Sequence, residues 1–318
     1  MAWLTSVLKS AVLAVLALLA GATAAHAQQN PPLSGVRMID LDGRAVRVQA
    51  IGLQDRRPGA PVVVFEAGAT NSLEVWGGIT DQVASMAPVI AYDRAGLGSS
   101  EWDNTHPTPR HVAERLRQVL RQIGAEPPFV LVGFSWGGML VRYFASYYPG
   151  EVAALVFVDP SPMVTESLAS NLAPFETVGA GRAGFEAYWS SFAALIGGAP
   201  PAVRAEMQVF HGLLETDLAA RDLRQVPAVP MVVIVAAKYL PVPLTVPFDL
   251  QRHFQVDLRH RLSVLSEWVL ASPHGALVMA SNTTHHIPRD DPGLIVSAIQ
   301  RVLGALHLNR RRPEQSPF

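Results

Sequence analysis

The chain has 318 residues, of which 49% are apolar and 16% are charged, a composition that excludes intrinsic disorder and suits one large domain or two small ones. The formal net charge of −1 offers no electrostatic attraction to nucleic acid or to an anionic membrane surface. The absence of cysteine excludes disulfides, thiol nucleophiles and thiolate metal sites.

The first 27 residues have the pattern of a secretory signal peptide. Lys9 precedes an apolar stretch from Ala11 to Ala20, and small residues follow as far as Ala27. A retained membrane anchor is the weaker alternative, because the apolar stretch is shorter than the roughly 18 residues that a spanning helix needs. We therefore predict cleavage after Ala27, a mature domain over residues 28–318, and a secreted or periplasmic protein with no stable membrane span after cleavage.

Eight segments have the pattern of β-strands. Two of them, Arg37–Leu41 and Arg44–Ala50, flank Asp42-Gly43, a typical hairpin turn. The other six are short apolar runs of the kind found in parallel strands that are buried on both faces. These runs are Pro61–Glu66, Pro88–Tyr92, Phe129–Val132, Ala153–Val158, Met231–Ala236 and Ala276–Ala280. Since helical patterns alternate with them, the sequence predicts an α/β fold with a mostly parallel, eight-stranded sheet flanked by helices.

Helix signals lie between the strand segments. One helix is predicted to begin at Thr108-Pro109 and to end at Gly124, and the last one to open at Pro292. From about 161 to 225 there is no buried-strand run, only helix-like segments broken by glycine and proline. We interpret this region as a helical cap inserted over the sheet.

A candidate nucleophile follows the third apolar run. Gly133-Phe134-Ser135-Trp136-Gly137 lies between a predicted strand and a predicted helix, which is the context that a Gly-x-Ser-x-Gly nucleophile elbow requires. In so sharp a turn, a Cβ at either glycine would collide with neighbouring backbone. Ser135 is therefore the predicted nucleophile, and Phe134 and Trp136 are predicted to line the substrate pocket.

A serine hydroxyl needs a base within hydrogen-bonding distance and a carboxylate that orients this base. Of the ten histidines, His285 and His286 alone lie directly after the last predicted strand. Two adjacent side chains cannot both point at one serine. We predict that His285 is the base, that His286 lies at the surface and that Ile287 packs inwards. A two-histidine metal site is a weaker alternative, since no third ligand cluster is evident.

The acid has two candidates. Asp159 directly follows the predicted strand that ends at Val158, whereas Asp249 lies well beyond the strand that ends at Ala236. The loop after the strand that ends at Ala236 is another usual place for the acid, but residues 237–241 contain no carboxylate. We therefore favour Asp159 and keep Asp249 as the alternative.

Acyl transfer also needs two N–H donors for the developing oxyanion. The backbone N–H of Trp136, directly after the nucleophile, is the first predicted donor. The second is the N–H of Ala69, in the small turn Ala67-Gly68-Ala69 after the strand Pro61–Glu66.

These motifs and their order resemble the α/β-fold hydrolase superfamily, and the similarity extends from about Val36 to Leu306. The resemblance implies the fold and the serine-hydrolase machinery, a structural role for the loop from Asp93 to Gly96, and an acid displaced to the preceding strand. Epoxide hydrolases and haloalkane dehalogenases of this fold use aspartate at the elbow, so Ser135 argues against both. The motifs in question are Phe65–Ala69, Tyr92–Ser99, Val132–Gly138, Val158–Pro160 and His285–Pro292.

We predict a hydrolase that cleaves carboxylic esters of a small or medium apolar substrate through an acyl-enzyme on Ser135. His285 would move the proton and Asp159 would orient His285, with a small-molecule substrate, no nucleic acid partner, and no metal or organic cofactor. Six cap aromatics either line an acyl pocket or pack the cap onto the core. They are Phe175, Phe185, Tyr188, Trp189, Phe192 and Phe210.

Two alternatives stay open. The Ser-Trp-Gly elbow is similar to that of proline iminopeptidases, and such an aminopeptidase would grip an α-amine with cap carboxylates. The candidates for this role are Glu166, Glu176, Glu186, Glu206 and Glu215. The other alternative is a non-catalytic ligand-binding protein of the same fold, which the presence of serine, histidine and a plausible acid argues against.

Overall fold

A computed structural model describes residues 35–160, 167–215 and 223–311 of the chain. The predicted signal peptide lies outside the described residues. Within the described ranges, no helix is both long and apolar enough to cross a membrane.

The centre of the molecule is an eight-stranded sheet. Its strands are β1 (Gly35–Leu41), β2 (Arg44–Ile51), β3 (Val62–Glu66), β4 (Val89–Tyr92), β5 (Phe129–Phe134), β6 (Val152–Val158), β7 (Met231–Ala236) and β8 (Ala276–Ala280), in the spatial order β1-β2-β4-β3-β5-β6-β7-β8. β2 pairs antiparallel with β1 and with β4, and every other pair is parallel. The predicted fold class, a mostly parallel eight-stranded sheet between helices, is confirmed.

The apolar runs form strands here because both faces of the sheet are covered. All residues of β3 are buried, and they alternate between two cores: Val62 and Val64 belong to one, Val63 and Phe65 to the other. Strands of this kind have no solvent side, and so the sequence shows continuous apolar runs instead of alternation.

Helices cover the sheet on both faces. They are α1 (Ile79–Ala84), α2 (Pro109–Gln122), α3 (Trp136–Tyr147), α4 (Leu168–Thr177), α5 (Gly181–Leu195), α6 (Pro201–Glu215), α7 (Leu250–Leu270), α8 (Ile287–Asp290) and α9 (Pro292–Arg311). Thr108 caps α2 by accepting a hydrogen bond from the His111 N–H, and Gly124, with φ +71°, turns the chain beyond its end. Both limits follow the sequence signals.

Three of these helices, α4 to α6, lie in the region predicted to form the cap. The same region contains no strand among its described residues, in agreement with the prediction of a helical insertion. The exact bounds of the insertion, at about 161 and 225, stay a prediction.

The 21-residue helix α7 was not predicted. Its buried positions include His253, Arg261 and Leu265. Leu258, Leu262 and Leu265 pack against the core at helical spacing, and so the segment does carry an apolar periodicity, which the sequence analysis overlooked.

Candidate active site

Ser135 lies in a tight turn between β5 and α3. Its backbone has φ 53° and ψ −121°, a strained conformation for a residue with a side chain. A Cβ on Gly133 would lie 2.4 Å from the carbonyl oxygen of Gly137, and a Cβ on Gly137 would lie 2.2 Å from that of Glu66. The two glycines therefore permit the close approach of backbone segments that this turn needs, as predicted from the motif.

The turn brings Ser135 into contact with His285, which precedes α8. The Oγ of Ser135 lies 2.9 Å from Nε2 of His285, and Nδ1 of His285 lies 2.6 Å from Oδ2 of Asp159. The side chain of His285 is 36% exposed, whereas that of Asp159 is 3% exposed. A carboxylate that accepts the Nδ1–H leaves Nε2 free to accept the serine proton. The three residues predicted from sequence thus form one hydrogen-bonded series.

Asp159 follows β6 and is held by backbone and side-chain donors. Its N–H donates to the Ile234 carbonyl oxygen at 2.7 Å, and its Oδ1 accepts from the Ala236 N–H at 3.0 Å and from Nη1 of Arg261 at 2.9 Å. Burial opposes ionisation of this carboxyl, but the charge of Arg261 and the hydrogen bonds outweigh it, and the pKa of Asp159 lies below its ordinary value. The side chain is therefore a carboxylate at neutral pH.

Asp249, the other candidate acid, lies elsewhere. Its Oδ1 accepts from the N–H groups of Gln251 and Arg252 at 2.8 and 3.0 Å, and so it caps the N-terminus of α7. The side chain is exposed and makes no hydrogen bond with His285 among the described contacts. Of the two carboxylates weighed from the sequence, Asp159 is the one that contacts the histidine.

Arg261 is a site residue that the sequence analysis missed. It lies on the buried face of α7, is 4% exposed and donates to both Asp159 and Asp257, at 2.9 Å in each case. An arginine buried beside the acid offsets part of its negative charge and fixes one of its oxygens. The only sequence signal for this ion pair is that Arg261 lies four residues after Asp257. This spacing places the two side chains together only if the segment is a helix, and the helix was not predicted.

A buried ion-pair network holds the loop that contains the second predicted oxyanion donor. Arg94 donates to Glu66 and Glu206 and to the carbonyl oxygens of Ala67 and Gly68, each at 2.7 Å. The N–H of Thr70 donates to Glu206, also at 2.7 Å. The loop after β3 is therefore fixed on both sides of Ala69.

The two predicted oxyanion donors have no competing acceptor. Within the described residues, neither the Trp136 N–H nor the Ala69 N–H donates to another protein group. Both residues border Ser135 in space or in sequence: Trp136 is the next residue, and Ala69 lines the same cavity. Their N–H groups are available to an oxygen of a bound substrate.

Arg94→Met is expected to lower the free energy of unfolding by about 3–5 kcal/mol, because it leaves the carboxylates of Glu66 and Glu206 buried without a cation. Thermal or urea denaturation measures the loss. Arg182→Met is the matched control: Arg182 forms an exposed i,i+4 pair with Glu186, and its loss should cost under about 0.5 kcal/mol. Equal effects of the two substitutions would contradict a structural role for the Arg94 network.

A cavity of about 440 Å³ opens over the hydrogen-bonded series. Ser135, Asp159 and His285 lie in its wall, together with Phe134 and Ala69. All six of the cap aromatics singled out from the sequence line it as well, namely Phe175, Phe185, Tyr188, Trp189, Phe192 and Phe210. The cap thus supplies an apolar chamber of a size suited to a small or medium organic group.

The prediction for the Trp136 side chain needs correction. The indole is completely buried and packs edge-on against Phe210, with ring centroids 5.3 Å apart, and it is not part of the cavity wall. As the first residue of α3, Trp136 directs its ring into the contact between core and cap. Phe134 does line the cavity, and its ring lies 5.1 Å from that of His285.

The residues around His285 follow the sequence expectations. His286 is exposed at the rim of the cavity, and Ile287 is fully buried. Asp93 accepts from the N–H groups of Leu73 and Ser99, which gives the loop after β4 the structural role that was implied. In the described ranges, no three His, Asp or Glu side chains are grouped so as to hold a metal ion.

Comparisons with known proteins agree with this fold. The sequence model of the family described as alpha/beta hydrolase fold matches residues 61–232, more than half of the chain. The chain belongs to this family.

Among curated proteins, a pimeloyl-[acyl-carrier protein] methyl ester esterase of Edwardsiella ictaluri is 33% identical over 96 residues, 30% of this chain and 35% of that protein. The lipase LipV of Mycobacterium tuberculosis is 31% identical over 105 residues, 33% of this chain and 39% of that protein. The chain spans less than half the length of the curated relatives it matches first.

Among solved structures, a loop variant of the haloalkane dehalogenase DbeA from Bradyrhizobium elkanii superposes with a TM-score of 0.61. The alignment covers 87% of this chain and 98% of that chain, at 17% sequence identity. A likeness at this identity concerns the fold alone.

Proposed function

We propose that the protein hydrolyses carboxylic esters of small or medium apolar acyl groups by way of an acyl-enzyme on Ser135. The observation that carries the proposal is the hydrogen-bonded series of Ser135, His285 and Asp159 in the wall of an apolar cavity. The esterase and the lipase among the relatives support the same class of reaction.

The proposed reaction uses the site as follows. Ser135 Oγ attacks the ester carbonyl while Nε2 of His285 takes its proton, and the N–H groups of Ala69 and Trp136 stabilise the oxyanion. His285 then donates this proton to the leaving alcohol, and water releases the acyl group through the same histidine. Asp159, ionised because its pKa is lowered, fixes the tautomer of the neutral His285 imidazole and stabilises the imidazolium that forms from it.

The aminopeptidase alternative has less support from the cavity. An α-amine would need a free carboxylate in the cavity wall, but both lining carboxylates, Asp159 and Asp257, are paired with Arg261. Of the glutamates considered for this role, Glu206 is paired with Arg94, and Glu166 lies outside the described residues. The remaining three, Glu176, Glu186 and Glu215, are not part of the cavity wall.

The proposal is tested with para-nitrophenyl esters of increasing acyl length and, for comparison, the para-nitroanilides of the same acids. We expect turnover of the esters, with kcat/KM rising as the acyl chain begins to fill the aromatic chamber, and little turnover of the anilides. A folded protein that cleaves no ester, or that prefers the anilides, would contradict the proposal and favour the amide-cleaving or ligand-binding alternatives.

Export is a second proposal, carried by the charge and hydropathy pattern of residues 1–27. Expressed with its full sequence in a Gram-negative host, the protein should be recovered from the periplasm with Gln28 as its first residue. N-terminal sequencing gives the answer. Recovery from the membrane with residues 1–27 still attached would instead support the anchor.

A further inference from the structure

Lys238 introduces a positive charge into the wall of the cavity. The chain has two lysines, and Lys238 is the one in the described ranges. It is exposed, follows β7 at the end of the sheet where Ser135 lies, and lines the same cavity.

The backbone of Lys238 is fixed next to the acid and the base. Its N–H donates to the carbonyl oxygen of Thr283 at 3.0 Å, two residues before His285. Ala236, two residues before Lys238, donates to Oδ1 of Asp159 at 3.0 Å. Lys238 therefore lies on the histidine side of Ser135, and its side chain starts from a rigid position.

The charges in the cavity wall leave this ammonium without a partner. The two lining carboxylates, Asp159 and Asp257, both pair with the guanidinium of Arg261. No carboxylate of the described residues forms an ion pair with Lys238. An ammonium that contacts no carboxylate keeps its hydrogen-bond donors free for an anionic group of a ligand.

The proton transfer in ester cleavage indicates which part of a substrate lies next to Lys238. His285 must donate its proton to the leaving oxygen, and so the leaving alcohol lies on the histidine side of the scissile bond. Lys238 is tied to the same loop as His285. The apolar cap residues suit the acyl group, which contains no charge in the proposed reaction.

We propose that Lys238 binds a carboxylate on the leaving-alcohol side of the ester. The preferred substrates are then esters in which an apolar acid acylates the hydroxyl group of a hydroxycarboxylic acid. This inference rests on the proposed esterase function. The reaction consumes one water and yields the apolar acid and a hydroxycarboxylate, and the carboxylate held by Lys238 is unchanged.

The test compares two neutral-acyl substrates, the butanoate esters of para-hydroxybenzoic acid and of para-hydroxybenzamide, which differ in the charge of the leaving group. The wild-type protein should have the higher kcat/KM for the anionic ester. Lys238→Met should lower the anionic-to-neutral ratio about tenfold, and Lys238→Arg should keep most of it. Arg259→Met removes an exposed cation of α7 outside the cavity wall and should leave the ratio unchanged.

Three results would overturn the inference. They are a wild-type anionic-to-neutral ratio of kcat/KM of one or below, a ratio that Lys238→Met does not change, and an equal fall of the ratio in Arg259→Met. A second pair of substrates, the para-nitrophenyl esters of pentanoic acid and of monoanionic pentanedioic acid, tests whether Lys238 lies next to the leaving group or next to the acyl group. A Lys238-dependent preference for an anion in this acyl group would contradict the leaving-group assignment. If the folded protein cleaves none of these esters, the proposed function itself fails.

Discussion

Replacing Ser135 by alanine is expected to lower kcat for an ester substrate by about 10⁴- to 10⁶-fold. The acyl-enzyme cannot form without the hydroxyl whose oxygen lies 2.9 Å from Nε2 of His285. The oxyanion donors and the apolar cavity stay in place, so a small residual rate above that in water is expected. Steady-state kinetics with a para-nitrophenyl ester measure the loss, and KM should change little by comparison.

Ser170→Ala is the matched control for this substitution. Ser170 also lines the cavity and also contacts an imidazole, since its Oγ lies 3.0 Å from Nε2 of His260. Its removal should change kcat by less than about threefold, within the range expected for loss of one partly exposed hydrogen bond. A Ser135→Ala protein with a tenth or more of the wild-type kcat would contradict the assignment of the nucleophile.

The second large effect is expected at the acid. Asp159→Asn should lower kcat by about 10⁴-fold, because an amide that donates to Nδ1 holds His285 in the tautomer that carries a proton on Nε2. That tautomer cannot accept the proton of Ser135. The fold should survive, since an amide oxygen can still accept from Ala236 and since Arg261 keeps Asp257 as its partner.

Asp249→Asn makes the same chemical change at the other candidate acid. Asparagine caps a helix about as well as aspartate, so that both kcat and the midpoint of thermal unfolding should stay close to the wild-type values. If Asp249→Asn lost activity while Asp159→Asn kept it, the acid would be wrongly assigned, and the 2.6 Å contact between His285 and Asp159 would have only a structural role.

Much of the fold follows from local physical constraints that are visible in the sequence. Strands buried on both faces give continuous apolar runs, and so β7 and β8 were predicted with the bounds that the structure has. The elbow was predictable because its turn excludes a Cβ at Gly133 and Gly137. His285 could be chosen because few histidines lie at the carboxyl end of a predicted strand.

Other parts of the site depend on contacts between distant segments. Arg261 reaches Asp159 across 102 residues of sequence, and the helical spacing of Leu258, Leu262 and Leu265 around it does not show which distant residue it contacts. Arg94 joins Glu66 to Glu206 across the core and the cap, and no local pattern pairs them. The direction of the Trp136 ring was missed because it is set by Phe210, a residue of the cap.

The central claim is that Ser135 forms a covalent acyl-enzyme, and intact-mass analysis after rapid acid quench tests it most directly. Mixed with a para-nitrophenyl ester, the wild-type protein should gain the mass of one acyl group, and peptide mapping should locate it on Ser135. His285→Ala should gain none on this time scale. An acyl group found on another residue, or turnover without any acylated protein, would contradict the account.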